Sequence, residues 1–161
     1  MITHPTARFT FAHPAHFIAL GFGTGLAPVA PGTAGTVLAF PIYMLLDRWL
    51  DLPAMVSVIV VFFAIGVWAC GRTGRDLGVA DHSSMNWDEV VAMMLILLMI
   101  PDAWEWWVFA FGAFRFFDVV KPPPIRHIDR TMKGGFGVMF DDIVAAFYTL
   151  LLLAIVKRVL F

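Results

Sequence analysis

One apolar segment carries two adjacent carboxylates, and this feature restricts the fold more than any other. Residues 136–156 form a run of 21 residues whose only charges are Asp141 and Asp142. At 1.5 Å rise per residue the run makes about 31 Å of helix, close to the hydrocarbon thickness of a bilayer. The chain is 60% hydrophobic and only 14% charged, whereas a soluble domain carries about a quarter charged residues. We therefore predict an all-α integral membrane protein.

The apolar segments predict how many helices cross the bilayer. Five segments, extended by their charged neighbours, reach spanning length: 33–46, 54–70, 90–100, 106–120 and 143–156. We expect a compact bundle of about four to five transmembrane helices that forms a single domain over residues 1–161. Glycines and prolines open the first segment and Pro41 lies inside it, so we expect a re-entrant or broken N-terminal part.

The distribution of charge predicts one functional face. Alternating crossings place residues 1–32, 71–89 and 121–140 on the same side, with most lysines and arginines, and the positive-inside rule makes that side cytoplasmic. Together with the span ends that adjoin it, the same side holds eight of the twelve acidic residues. The net charge of −1 offers no basic surface for a nucleic acid. We expect a bilayer as the surroundings and a charged site at one membrane surface.

Two acidic pairs, Asp88–Glu89 and Asp141–Asp142, each stand where a loop enters a predicted span. Acids in the first turn of a helix favour the positive end of its dipole. That alternative needs only one acid per helix, however, and carboxylates at membrane depth are costly and usually mark a function. Carboxylate oxygens suit a hard cation such as Mg²⁺ better than zinc. His82 is a further candidate ligand or proton donor, or simply a solvated loop residue.

Basic residues follow the fourth span. Arg115 and Asp118 are three residues apart and share one helix face, where they form an ion pair. Three prolines at 122–124 end that helix. Guanidinium and ammonium groups bind phosphate, although a basic patch for anionic lipid is the alternative reading of Lys133. The predicted phosphate-binding set is Arg115, Lys121, Arg126, Arg130 and Lys133.

Four motifs together identify a family: "GFGTGLAPVAPGTAG", "DHSSMNWDE", "FRFFDVVKPPPIRHIDR" and "GGFGVMFDDIVA". Over residues 21–146 the chain resembles phosphatidylglycerophosphatase A, a family of small bacterial membrane lipid phosphatases. Pro123 and Ala146 depart from the family pattern at uncharged positions. The resemblance implies Mg²⁺-dependent hydrolysis of the phospholipid phosphatidylglycerophosphate to phosphatidylglycerol and phosphate. It also implies a multi-pass protein of the bacterial inner membrane whose active site faces the cytoplasm.

These observations lead to a hypothesis for each site residue. Mg²⁺ is held by the two acidic pairs, Asp88–Glu89 and Asp141–Asp142. The phosphate-binding set neutralises the phosphate. Asp81 or His82 acts as general base or acid, while Asp118 and Asp129 orient the basic residues or complete the metal shell. We expect direct attack by water, because the DxDxT pattern of aspartyl-phosphate enzymes is absent, although that route stays open.

Two alternatives of other classes are a small transporter or channel subunit with an acidic ion site, and a non-catalytic membrane scaffold. Glycine- and proline-interrupted segments with intramembrane acids also occur in transporters. The acids cluster at one surface and no inverted repeat is visible, which favours the enzyme. A scaffold would not need eight acids on one face.

Overall fold

The computed structural model describes residues 4–160, and this part of the chain is helical and contains no β-strand. The all-α prediction is therefore confirmed. The elements in chain order are α1 (Ala7–Ala12), α2 (Pro14–Ala19), a 3₁₀ segment (Gly21–Leu26), α3 (Pro31–Asp47), α4 (Leu52–Leu77), α5 (Trp87–Met99), α6 (Trp104–Val120), α7 (Ile125–Thr131) and α8 (Gly135–Leu160). The five predicted apolar segments correspond to α3, α4, α5, α6 and α8.

Local signals explain where the long helices begin and end. The Asp51 side chain accepts a hydrogen bond from the Ala54 N–H at 3.0 Å and so caps the start of α4. That helix ends at Leu77, and the capping residue Gly78 has a φ of 72°, a left-handed backbone conformation that glycine adopts without strain. α6 ends at Lys121, which has a φ of 47° and directly precedes the three prolines. The proline run therefore ends α6 as predicted, and the unusual backbone at Lys121 turns the chain.

Two of the described helices, α4 and α8, are long and apolar enough to cross a membrane. Each has 26 residues, and their most apolar windows have mean hydropathies of 2.4 and 2.1 with 22% of the residues buried. Large side chains such as Val60 and Leu151 are more than half exposed along them. A core helix of a soluble protein would be mostly buried, so these surfaces indicate association with a membrane. The predicted count of four to five spans stays a prediction, since α3, α5 and α6 have 17, 13 and 17 residues.

α5 lies at the centre of the bundle. It packs against α3, α4, α6 and α8, and the side chains from Val90 to Met94 are fully buried. A helix that is apolar all round is one that is enclosed by others. Thirteen residues are enough for this helix because its neighbours surround it. Its first turn, with Asp88 and Glu89, is therefore held inside the protein.

The N-terminal part is broken into short pieces, as expected, but the break lies before α3. Positive φ angles at Gly21, Phe22, Gly23 and Ala30 interrupt the chain, whereas α3 continues through Pro41. His16 fastens this part to α4, because its Nε2 lies 2.8 Å from Asp76 Oδ2. The short pieces pack on the end of the bundle where α5 begins. A single domain over residues 1–161 stays a prediction.

Candidate active site

A cavity of about 240 Å³ lies at one end of the bundle, where α3, α5 and α8 begin and α6 ends. The antiparallel course of the neighbouring helices brings these four ends together. Eight charged residues line the cavity: Asp81, Asp88, Glu89, Arg115, Asp118, Lys121, Asp141 and Asp142. Acidic and basic side chains that are up to 61 residues apart in sequence thus share one small space.

Three of the acids converge closely enough to hold a cation. Asp88, Glu89 and Asp142 each offer a carboxylate oxygen, and these oxygens lie within 4.8 Å of one another. All three residues are more than nine-tenths buried. One oxygen of each, Oδ1 of Asp88, Oε2 of Glu89 and Oδ2 of Asp142, is buried without any hydrogen-bond partner among the described residues. Unpaired buried charges are strongly unfavourable, so the arrangement calls for a ligand.

The chemistry of these donors fits Mg²⁺. All three are carboxylate oxygens, which hard divalent cations prefer, and Mg²⁺ binds through a few carboxylates together with water and substrate phosphate. Asp88 and Glu89 come from the first turn of α5 and Asp142 from the second turn of α8. The residues therefore fit the ion that the sequence predicts.

Asp141, the fourth predicted metal ligand, contacts a positively charged side chain, that of Lys121. Lys121 Nζ donates to Asp141 Oδ2 at 2.6 Å and to Asp129 Oδ1 at 3.0 Å. Burial alone would lower the pKa of Lys121, but the Asp141 and Asp129 carboxylates raise it above its usual range. Lys121 therefore carries its positive charge into the cavity. The other oxygen of Asp141 is buried and has no hydrogen-bond partner among the residues described.

Arg115 connects the acidic cluster with α6. Its Nη1 donates to Asp118 Oδ2 at 2.5 Å, which forms the ion pair that the spacing predicts. The same nitrogen lies 3.5 Å from Glu89 Oε1. Asp118 thus orients the guanidinium, and Arg115 faces the carboxylate cluster.

The remaining predicted phosphate-binding residues do not line the cavity. Arg126, Arg130 and Lys133 are exposed on α7 and the turn that follows it. Arg126 Nη2 donates to the Val120 carbonyl at 3.3 Å, and Lys133 Nζ donates to the Asp129 carbonyl at 2.9 Å. These three residues form a basic surface beside the site. Their direct contact with phosphate stays a prediction.

The two candidate proton-transfer groups are placed differently. Asp81 lines the cavity with its side chain open to solvent. The surrounding protein still displaces part of the water around Asp81, which raises the pKa of its carboxyl. The positive charge of nearby Lys121 lowers that pKa, but by less. His82 is buried outside the cavity lining, and its Nδ1 accepts a hydrogen bond from the Ser84 N–H at 3.1 Å. Asp81 is therefore the group that can meet a substrate.

Asn86 is a functional candidate that the sequence reasoning missed. It is fully buried, and its Nδ2 donates to Thr24 Oγ1 at 3.0 Å and to the Pro31 carbonyl at 2.8 Å. Its backbone N–H donates to the Ala19 carbonyl at 2.9 Å. These bonds join the broken N-terminal part to the residue before Trp87, where α5 begins. The one signal in the sequence is a pair of glycines, since a Cβ at Gly21 or Gly35 would collide with Asn86.

Replacement of Asn86 by leucine is expected to destabilise the protein. Asn86→Leu leaves the Pro31 carbonyl without its donor inside the protein, which costs about 1–3 kcal/mol. Thermal unfolding in detergent measures the change. As a matched control, Thr131→Val removes an exposed hydrogen bond to the His127 carbonyl and should stay near wild type. An Asn86→Leu protein as stable as wild type would show that these bonds do not hold the N-terminal part.

A family model and two relatives that match the chain carry the same name. Residues 17–157 match the family model described as Phosphatidylglycerophosphatase A. The chain is 38% identical over 149 residues to a Phosphatidylglycerophosphatase A of Haemophilus influenzae, covering 92% of this chain and 91% of the relative. It is 41% identical over 140 residues to one of Escherichia coli, covering 86% and 81%.

A third relative carries a different name. A Bacteroides thetaiotaomicron protein named "Putative phosphatidylinositol-3-phosphatase" is 39% identical over 150 residues, covering 89% of this chain and 93% of the relative. No solved structure matches the chain.

Proposed function

The chain belongs to the phosphatidylglycerophosphatase A family and is a phosphoric monoester hydrolase, and we propose that it uses Mg²⁺ to hydrolyse phosphatidylglycerophosphate to phosphatidylglycerol and phosphate. The observation that carries this proposal is the meeting of the Asp88, Glu89 and Asp142 carboxylates with Arg115 and Lys121 in one cavity. Such a cavity offers a cation site and an anion site side by side. The transporter and scaffold alternatives are not retained, because the family is one of enzymes.

In this proposal the carboxylate cluster holds the metal. Asp88, Glu89 and Asp142 are the ligands, and Asp141 keeps Lys121 in place at its edge. When bound there, Mg²⁺ supplies Lewis-acid chemistry that stabilises the negative charge on the transferred phosphoryl group. Arg115 and Lys121 supply the remaining positive charge at the equatorial phosphate oxygens. Asp118 and Asp129 orient those two cations.

The basic surface on α7 serves the approach of the substrate. Arg126, Arg130 and Lys133 stand exposed beside the cavity, and a cluster of positive charge attracts an anionic lipid headgroup to the membrane surface. The same basic loops support an orientation with the active site toward the cytoplasm. We propose that α4 and α8 span the bacterial inner membrane and that α3, α5 and α6 complete a bundle of four to five spans.

Asp81 is the proposed general base, and its role predicts a pH dependence. A carboxylate takes a proton from the attacking water only when ionised, so turnover should rise as the pH passes upward through its pKa. Because that pKa is raised, the acid limb of the kcat/KM profile should lie above the usual aspartate range. Asp81→Asn is expected to abolish this limb and to lower turnover by about 10²–10⁴-fold. Asp102→Asn, at an exposed turn outside the cavity lining, should keep the limb. An unchanged limb in Asp81→Asn would show that another group is the base.

The substrate is tested by phosphate release from the purified protein in detergent. The name of the Bacteroides relative makes phosphatidylinositol 3-phosphate the second candidate, and both lipids present a phosphomonoester on a headgroup. We expect phosphatidylglycerophosphate to give the higher kcat/KM with Mg²⁺ present. Faster release from phosphatidylinositol 3-phosphate would reverse the assignment, and release from neither lipid would refute both substrates.

A further inference from the structure

The first turn of α3 forms part of the cavity wall, and two of its backbone N–H groups lack a partner within the helix. Ala30, Pro31 and Gly32 line the cavity. Ala30 precedes the helix and supplies no side-chain cap, and Pro31 has no N–H. The first bond of the helix runs from the Ala34 N–H to the Ala30 carbonyl at 3.2 Å. The N–H groups of Gly32 and Thr33 therefore point out of the helix end without an intrahelical acceptor.

Arg115 lies directly against this helix end. A Cβ built on Gly32 would lie 3.1 Å from Arg115 Nη2 and 3.2 Å from Arg115 Nη1, and it would overlap Glu89 Oε1. Only glycine lets the helix end approach these groups so closely. Arg115 Nη1 is engaged by Asp118, whereas Nη2 is the guanidinium nitrogen that lies nearest to Gly32. Gly32, in the first turn of α3, and the Arg115 guanidinium thus border the same cavity.

A second observation points to a ligand in that space. Buried carboxylate oxygens of Asp88, Glu89 and Asp142 line the same cavity without partners. They call for a cation, and the donors of α3 and Arg115 call for an anion. A phosphomonoester bound together with a divalent cation would satisfy both sets, because the three carboxylates would hold the cation and the donors of α3 and Arg115 would bind the phosphate.

We propose that the backbone N–H groups of Gly32 and Thr33, together with Arg115 Nη2, bind the non-bridging oxygens of the substrate's terminal phosphate. This inference rests on the proposed function and adds an anion site built from the first turn of α3. The partial positive charge at the start of a 17-residue helix favours a phosphate dianion there. Backbone donors are also fixed in place, so they lose little freedom when the phosphate binds.

The test removes one backbone donor without adding a side chain. The Thr33 amide is replaced by an ester through incorporation of the α-hydroxy acid form of threonine. Binding of inorganic phosphate to the full-length, detergent-solubilised protein with Mg²⁺ is then measured by calorimetry. We expect phosphate binding at least about tenfold weaker than in wild type. Binding of Mn²⁺ in the absence of phosphate, followed by electron paramagnetic resonance, should not change.

A matched control carries the same backbone change at the opposite end of the bundle. Leu52 is the first residue of α4, so its N–H also lacks an intrahelical acceptor. An ester at Leu52 should leave phosphate binding unchanged. Gly32→Ala is the second variant, since its methyl group would intrude between Glu89 and Arg115, and it should also weaken phosphate binding at least tenfold.

The outcomes separate this inference from the proposed function. Phosphate binding as tight as wild type in the Thr33 ester, or no phosphate binding by the wild-type protein at millimolar concentration, would overturn the inference. If the Thr33 ester fails to fold, wild-type affinity in Gly32→Ala would overturn it equally. Weakened phosphate binding in a protein whose wild type does not hydrolyse phosphatidylglycerophosphate would overturn the substrate and support the anion site.

Discussion

Asp142→Asn is expected to lower turnover by about 10³-fold while the protein stays folded in the membrane. Asp142 supplies one of three carboxylate oxygens that lie within 4.8 Å of one another. Asparagine keeps the size of the side chain but removes its charge, so the proposed cation site would lose one of its three carboxylates and hold Mg²⁺ less tightly. Initial rates of phosphate release across a range of Mg²⁺ concentrations measure the loss, and the variant should also need more Mg²⁺.

A second acid-to-amide change serves as the control for Asp142→Asn. Asp102 is an exposed acid in the turn between α5 and α6 and does not line the cavity. Asp102→Asn should retain wild-type turnover. If Asp142→Asn turned over at the wild-type rate with the wild-type Mg²⁺ requirement, Asp142 would not be a metal ligand.

Removal of the metal is expected to have the largest effect of all. Excess chelator should reduce phosphate release to the background rate, and added Mg²⁺ should restore it, because the carboxylates without a cation repel the phosphate. Mg²⁺ should also raise the Tm, since a ligand that binds only the folded state stabilises it. The rise should be smaller in Asp142→Asn. Chelator saturated with Mg²⁺ beforehand is the control, and full activity in excess chelator would refute a metal-dependent reaction.

The sequence was informative where a single helix determines the outcome. The acid pair Asp88–Glu89 could be placed at the start of a helix because the apolar run begins directly after it, and the structure has it in the first turn of α5. The same argument placed Asp141 and Asp142 near the start of α8. The Arg115–Asp118 pair followed from helical spacing alone.

The sequence was less informative where two elements must meet. Asp141 and Asp142 are neighbours and point in directions about 100° apart on a helix, but which of them joins Asp88 and Glu89 depends on the position of Lys121. The position of that ammonium follows from the left-handed backbone at the end of α6, which the sequence did not reveal. It could therefore not be predicted that Asp142 would join Asp88 and Glu89 while Asp141 contacts Lys121.

The positions of the residues that follow the three prolines were harder still to predict from the sequence. The run predicted a stiff loop that presents Arg126, Arg130 and Lys133 to the phosphate, whereas the chain forms the short helix α7 with these side chains exposed. Asn86 contacts residues 55 and 62 positions earlier, and no spacing rule predicts such a pair. The number of membrane spans is equally difficult to predict from the sequence, because α5 is as apolar as a lipid-facing helix yet is enclosed by protein.

The place of Asp142 in the last helix has a consequence for biosynthesis. A ribosome has made most of the polypeptide, including α3, α5 and α6, before the codon for Asp142 is read. A nascent chain that stops earlier holds only two of the three clustered carboxylates. In the proposed mechanism, catalytic competence therefore depends on a segment that is translated late, and we expect a chain truncated before position 142 to be inactive.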